Sequence, residues 1–222
     1  MLDNVLVIES STAQGSVALL REGVLAAVVE FNARDAVTGA RTEGLAPAVA
    51  ECLAESGLGV GQLTAVICGA GPGGFTSLRC AAAVAKAMCA VLSLPLYAVS
   101  SLELMAHGAA ASDGNYVAAL SAGRGEWFAS RFSCDTQRVR EFAATELVTE
   151  SELQSMVSRG DARLVGPGLE IDVHPRAEAA VNCLARIEAD GPVSLDGWEP
   201  AYGRLAEAQV KWEISHGRAL PV

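Results

Sequence analysis

Charged and aromatic residues are scarce in this sequence. Of its 222 residues, 19% are charged and 5% are aromatic, while 51% are hydrophobic. An intrinsically disordered chain has low hydrophobicity, so this composition excludes one and predicts a folded protein. The formal net charge of −10 argues against direct nucleic-acid binding, because contacts to a phosphate backbone depend on Lys and Arg.

Long unbroken apolar runs are missing too. A helix that crosses a membrane needs about 18–20 apolar residues. Residues 56–78 carry no charge but are broken by seven glycines and Pro72, and residues 87–102 contain Pro95. The N-terminal MLDNVLVIESS has no basic residue and is typical of a strand rather than of a signal peptide. We therefore predict no membrane segment and a cytoplasmic location.

Sequence patterns for metal binding and nucleophilic catalysis are also absent. The six cysteines form no CxxC pair, and His107, His174 and His216 have no HxxxH spacing. The sequence therefore predicts no metal site, and cysteines that serve as small core residues in a reducing compartment. No Lys follows the glycine-rich segment, which excludes a Walker loop, and no GxSxG nucleophile elbow occurs.

Hydrophobic periodicity predicts an α/β arrangement with mixed sheets. The first half begins with a three-stranded meander, after which helices and strands alternate. A second meander opens the other half, so the pattern suggests a duplicated architecture with a junction near 110–115. The predicted subdomains are residues 1–111 and residues 112–222, the latter with an irregular tail from Gly191. The predicted strands are Asn4–Glu9, Ser16–Arg21, Val24–Phe31, Thr64–Cys68, Leu96–Val99, Tyr116–Leu120, Glu126–Ser133, Val139–Ala144 and Arg163–Val165, and the predicted helices are Leu45–Ser56, Phe75–Leu92, Leu102–Ala111, Ser151–Ser158 and Ala177–Ala189.

The strongest local signal is the segment CGAGPGGFTSLR at residues 68–79. Gly69, Gly71 and Gly74 fit a GxGxxG spacing between a strand and a helix, where backbone N–H groups can approach a phosphate. A dinucleotide site would also need an acid at the end of the next strand, and none stands at Val99-Ser100. A tight turn with glycines chosen for close packing explains the same residues, so both interpretations stay open.

The helix predicted after this segment is apolar almost all round, with Arg79 and Lys86 as its only charges. We therefore predict a helix that is buried on every side, either within this fold or against a partner chain that also contacts the helix Leu45–Ser56. Arg79 could bind a phosphate or a partner carboxylate, or pair with a local acid such as Glu9.

Five segments in one order carry a resemblance to a known family. They are VLVIESSTAQGSVAL (5–19), AVICGAGPGGFTSLRCAAAVAKAM (65–88), LPLYAVSSLELMA (94–106), AALSAGRGEWFAS (118–130) and EPAYGR (199–204). The chain resembles the TsaB family, also called YeaZ, of glycoprotease-like proteins in bacterial threonylcarbamoyladenosine tRNA modification. The resemblance implies an ASKHA fold, as in actin and Hsp70, with two RNase-H-like subdomains that contain mixed sheets.

The resemblance also implies a role and partners. Proteins of this family support TsaD, which carries the metal and transfers a threonylcarbamoyl group to the adenosine next to the tRNA anticodon. TsaE is an associated ATPase, and family members form homodimers through the helices that otherwise receive TsaD. On this resemblance the chain is a non-catalytic subunit without direct tRNA contact. The implied interface residues are Leu45, Val49, Cys52, Leu53, Phe75, Leu78, Ala82, Ala85 and Met88.

Two acidic positions depart from the nucleotide-handling pattern of this fold. Glu9 stands at the end of the first strand where Asp is usual, and Ser121 stands where a second acid is usual. A stand-alone ASKHA kinase or ATPase would need both acids, and a peptidase would need a nucleophile arrangement that Ser100, Ser101 and His107 do not offer. No cofactor is assigned to this chain, with ATP or ADP left open at a partner interface. The resemblance gives as the nucleotide or phosphate loop Glu9, Ser11, Thr12, Gly71, Gly73, Gly74 and Arg79.

Overall fold

A computed structural model describes residues 2–32, 44–109, 113–135 and 138–202. They form two mixed β-sheets with helices against them. The first sheet has the order β3-β2-β1-β4-β5, in which β1 pairs antiparallel with β2 and parallel with β4. Its strands are β1 (Asn4–Glu9), β2 (Gln14–Arg21), β3 (Val24–Asn32), β4 (Ala65–Gly69) and β5 (Leu96–Val99).

Helices cover both faces of the first sheet because its strands alternate apolar side chains to both sides. Helices α1 (Leu45–Ser56) and α2 (Phe75–Leu92) pack on the face that carries Leu6 and Ile8 of β1. The helix α3 (Ser101–Ala109) packs on the opposite face, against Val5 and Val7 of the same strand.

The second sheet has the order β8-β7-β6-β9 and repeats the start of the first, with an antiparallel meander and a parallel fourth strand. Its elements are β6 (Gly114–Gly123), β7 (Glu126–Asp135), β8 (Arg138–Thr149), α4 (Glu150–Gly160) and β9 (Ala162–Val165). Helix α3 lies between the two sheets, since Leu104 packs in the core of the first and Met105 in the core of the second. The predicted α/β architecture with two mixed sheets is confirmed.

The last described elements return to the first sheet. A single helix was expected over 177–189, and this prediction is wrong. The segment instead forms a 3-10 helix, Ala177–Asn182, and a short helix α5, Leu184–Asp190, because the backbone leaves helical geometry at Cys183. Ala177, Ala180 and Ile187 pack beside β1. Residues 177–190 therefore belong to the layers of the first sheet, while the expected subdomain boundary at 111/112 lies outside the described residues.

Helix α2 is not buried on every side within this fold, so of the two alternatives only burial against a partner chain stays open. Ala81, Ala85 and Cys89 are buried on the first sheet, whereas Val91 is 82% exposed. Among the described residues, α2 is the single helix with a length and composition that could cross a membrane. Because one face of α2 packs in the core of the first sheet, α2 is interpreted as a helix of the domain core.

Candidate functional site

The glycine-rich loop between β4 and α2 is in contact with three other segments of the same chain. The Gly74 N–H donates to the Ser11 carbonyl oxygen at 2.7 Å, which joins the loop to the turn between β1 and β2. The Ala201 N–H donates to the Ala70 carbonyl oxygen at 2.7 Å, and the Ser101 N–H donates to the Gly71 carbonyl oxygen at 2.9 Å. The loop is thus held by backbone groups from three distant segments.

The close approach of these segments explains the glycines. A Cβ atom on Gly73 would lie 2.3 Å from the Ser11 carbonyl oxygen. A Cβ on Gly71 would lie 2.7 Å from the Ala201 carbonyl oxygen, and its φ of +84° favours glycine by itself. Of the two interpretations that the sequence left open, the tight turn with close packing is the one that these contacts favour.

Glu9 is fully buried at the end of β1 and faces the interior of the fold. Its Oε1 accepts a hydrogen bond from the Ser11 N–H at 2.6 Å, and its Oε2 accepts one from Ser101 Oγ at 2.8 Å. Gly69 makes room for this carboxyl, because a Cβ there would lie 2.0 Å from Glu9 Oε2. Burial raises the pKa of Glu9, against the lowering effect of its hydrogen bonds.

Arg79 does not pair with Glu9, so that sequence alternative is wrong. Its guanidinium lies over the Phe75 ring at 5.2 Å from the centroid. The Phe75 ring also contacts Tyr202, with 4.6 Å between the two centroids. Arg79 therefore belongs to the contact between the start of α2 and Tyr202.

A cleft of about 430 Å³ lies between the two halves of the chain. Of the predicted loop residues, Ser11, Thr12, Gly73 and Gly74 line it, while Glu9, Gly71 and Arg79 do not. Ser121, the position where the sequence lacks the usual second acid, also lines the cleft. The other residues that the second half brings to the cleft were not predicted, because only the tertiary fold joins the two halves. The complete lining is Ser11, Thr12, Ala13, Gly73, Gly74, Ser77, Leu120, Ser121, Trp127, Pro167 and His174.

Among these described lining residues, none carries a carboxylate, a guanidinium or an ammonium group. Phosphoryl transfer relies on carboxylates that hold magnesium and on cations that neutralise the phosphates. The lining offers hydroxyl groups and one imidazole in their place. This arrangement can form hydrogen bonds to a ligand but supplies no ligand set for a magnesium ion.

Five of the nine predicted interface residues are buried within the single chain. Their side chains are in the core of the chain, where the apolar positions of α1 and α2 meet the sheet. Leu45, Leu53, Phe75 and Met88 are partly buried and keep some exposed surface. This burial argues against partner contact by Val49, Cys52, Leu78, Ala82 and Ala85, and the interface stays a prediction.

Other residues of α1 and α2 form the exposed apolar surface of these helices. We call this surface the outer helix face. It contains small side chains almost throughout and so allows close approach of another helix. On α2, Val91 is the large apolar residue with 82% of its surface exposed. The outer helix face comprises Ala46, Pro47, Ala50 and Ala54 on α1, with Cys80, Ala83, Ala87, Ala90 and Val91 on α2.

Comparison with known proteins identifies the family. The family model described as "TsaD: tRNA N6-adenosine threonylcarbamoyltransferase" matches residues 37–167. The chain is 30% identical over 173 residues to the Haemophilus influenzae "tRNA threonylcarbamoyladenosine biosynthesis protein TsaB", covering 73% of this chain and 71% of that protein. This chain belongs to the TsaB family.

Other TsaB proteins and one solved structure agree. The Escherichia coli TsaB is 30% identical over 151 residues, which cover 67% of this chain and 63% of that protein. The Bacillus subtilis TsaB is 25% identical over 231 residues, with 94% and 97% covered. "YeaZ from Pseudomonas aeruginosa" superposes with a TM-score of 0.77 at 23% identity, covering 90% of this chain and 99% of that one. The structural likeness supports the ASKHA-type TsaB fold.

A second cluster of titratable side chains lies away from the cleft. Glu103 and His107 are one turn apart on α3, and Cys183 stands just before α5. Arg186 holds both Glu103 oxygens, with Nε at 2.7 Å and Nη2 at 2.6 Å, and also contacts Asp190. Burial, together with the Arg186 charge, lowers the pKa of His107 to about 4. The sequence prediction missed this cluster, although Glu103 and His107 already stood at helical spacing.

Proposed function

We propose that this chain is a non-catalytic subunit of the machinery that makes threonylcarbamoyladenosine in tRNA, acting in support of TsaD. The observation that carries the proposal is the likeness to bacterial proteins named for this biosynthesis. The cleft adds support, since its lining has no carboxylate to hold a metal-bound nucleotide. A stand-alone ASKHA kinase or ATPase would need such groups.

The outer helix face is the surface we propose for TsaD. It is apolar, composed of small residues and exposed on two neighbouring helices, as an interface for partner helices requires. The same face would pair two copies of this chain when TsaD is absent, and TsaE would join the assembly of the two different subunits. All six cysteines are free thiols, which suits the cytoplasm, where we place the protein.

Reconstitution tests this proposal. Purified TsaD, TsaE, the enzyme that makes threonylcarbamoyl adenylate, ATP, threonine, bicarbonate and unmodified tRNA are mixed with or without this chain. Modified nucleoside is then measured after digestion of the tRNA. The proposal expects modification to depend on the chain.

A matched pair of variants separates the surface from the fold. Ala87→Arg puts a long cation on the outer helix face, whereas Ala189→Arg puts the same side chain on an exposed position of α5. The first variant should abolish both TsaD binding and modification, and the second should retain them. Modification that proceeds without the chain refutes the proposed function, and equal activity of the two variants refutes the proposed surface.

A further inference from the structure

Three side chains with different metal-binding atoms converge between α3 and α5. One carboxylate oxygen of Glu103, one imidazole nitrogen of His107 and Sγ of Cys183 all lie within 4.8 Å of one another. The side chains of Glu103 and His107 are only 10% and 6% exposed, and Cys183 is buried. The family comparisons assign nothing to these residues, and the proposed function does not use them.

The donor set is typical of a zinc site rather than of a hard-cation site. Zinc is bound in proteins by thiolate sulfur, imidazole nitrogen and carboxylate oxygen at about 2.0–2.3 Å. The three candidate atoms lie within 4.8 Å of one another, so binding of one ion at such distances requires side-chain rotations. Two of the donors are fixed on one face of α3 by their spacing of four residues, and the third is fixed by the packing of Cys183 against the first sheet.

The charge around the cluster also favours a cation. Burial raises the pKa of Glu103, Arg186 opposes that rise, and the charges of Glu141 and Asp190 add to it. Arg186 occupies both Glu103 oxygens, but its side chain is 43% exposed and also contacts Asp190. Metal binding therefore requires that Arg186 leaves Glu103 and Cys183 and turns toward solvent, where Asp190 remains its partner.

We propose that Glu103, His107 and Cys183 form a zinc site that ties α3 to the junction before α5. A water molecule completes the tetrahedron, and the thiol proton of Cys183 leaves to solvent as the sulfur–zinc bond forms. Such an ion would fix the C-terminal elements on the first sheet. This proposal does not depend on the proposed function, because it concerns a cluster remote from the cleft and from the outer helix face.

Titration of the full-length, reduced chain with Co²⁺ tests the site, because a cobalt–thiolate bond gives a charge-transfer absorption band. The expected result is one equivalent of Co²⁺ with a thiolate band that Zn²⁺ abolishes. Zinc should also remain bound at one equivalent after gel filtration and raise the thermal midpoint. A wild-type chain that gives no thiolate band, or retains no zinc, overturns the proposal without any variant.

Variants assign the ligands. Cys183→Ser should remove the thiolate band, and His107→Gln should weaken Co²⁺ binding at least about tenfold. Cys134→Ser is the matched control, since Cys134 is equally buried but lies in the core of the second sheet, and it should bind as the wild type does. A band that persists in Cys183→Ser and disappears in Cys80→Ser would place the metal on the exposed thiol and overturn the assignment.

Discussion

Replacement of Glu9 tests whether its carboxyl group holds the turn at Ser11 and the start of α3 together, which we call the Glu9 clamp. Glu9→Ala removes the acceptor for the Ser11 N–H and for the Ser101 hydroxyl, both of which are buried. A buried donor left without a partner costs about 1–3 kcal/mol, so two donors cost about 2–6 kcal/mol before the cavity is counted. Glu9→Gln keeps a carbonyl oxygen for Ser11 and an amide that can donate to the Ser101 hydroxyl.

The pH dependence separates the two variants further. Because burial raises the pKa of Glu9 above 4.5, the folded state holds this proton more tightly than the unfolded state does. The associated stability is fully present below pH 4.5 and is lost as the pH rises through the raised pKa. Glutamine does not titrate, so the free energy of unfolding of Glu9→Gln should increase relative to wild type over that rise in pH.

Urea unfolding at several pH values between 4 and 8 measures both effects. The exposed Glu55 serves as a control, and Glu55→Gln should leave the free energy of unfolding at pH 7 close to that of the wild type. The clamp interpretation fails if Glu9→Ala and Glu9→Gln are equally stable at pH 7. It also fails if the difference between Glu9→Gln and wild type is constant with pH.

Two further substitutions test the packing of the loop and of α2. Gly73→Ala should lower the free energy of unfolding by about 1–3 kcal/mol, because its Cβ would meet the Ser11 carbonyl oxygen. Gly61→Ala has open space and should be neutral in the same chemical unfolding assay; equal effects would contradict the close approach. Ala85→Arg should unfold the chain, whereas Ala87→Arg should keep the wild-type circular dichroism spectrum, and a folded Ala85→Arg would contradict the burial of that position.

The bounds of the helices α1 and α2 were predictable because their ends carry strong local signals. Helix α1 ends before Gly57, which adopts a left-handed φ of +70°. Helix α2 ends at Leu92 before Ser93, and Pro95 stands shortly after it. Both observed ranges are those that the sequence predicted.

Which face of each helix is buried could not be predicted, because alanine occupies both the buried and the exposed positions. Ala85 is fully buried and Ala87 is exposed, yet their side chains are identical and give no contrast in hydropathy. An alanine-rich helix therefore leaves its orientation to be decided by larger residues elsewhere in the fold. That is why the predicted interface contained Ala82 and Ala85, which belong to the core.

The candidate site was predictable only in part, since its contacts are distant in sequence. The loop segment and Ser11 could be named from local pattern, but Glu9 takes its hydrogen bond from Ser101, which lies 92 residues along the chain. Trp127 and His174 reach the cleft only because the second sheet stands against the first half. Hydrophobic periodicity carries no information on such pairings.

Glu9 and the glycine-rich loop together explain how the fold is held although the cleft lining carries no carboxylate. At the end of β1, the acid is directed inward and binds the turn at Ser11 and the start of α3 at Ser101. The glycine-rich loop lies against the backbone of Ser11 and of Ala201, with a hydrogen bond to each. These contacts fix the first turn of α2, and the outer helix face extends from there along the same rigid helix. The loop geometry therefore fixes the position of the helix that carries part of the outer helix face.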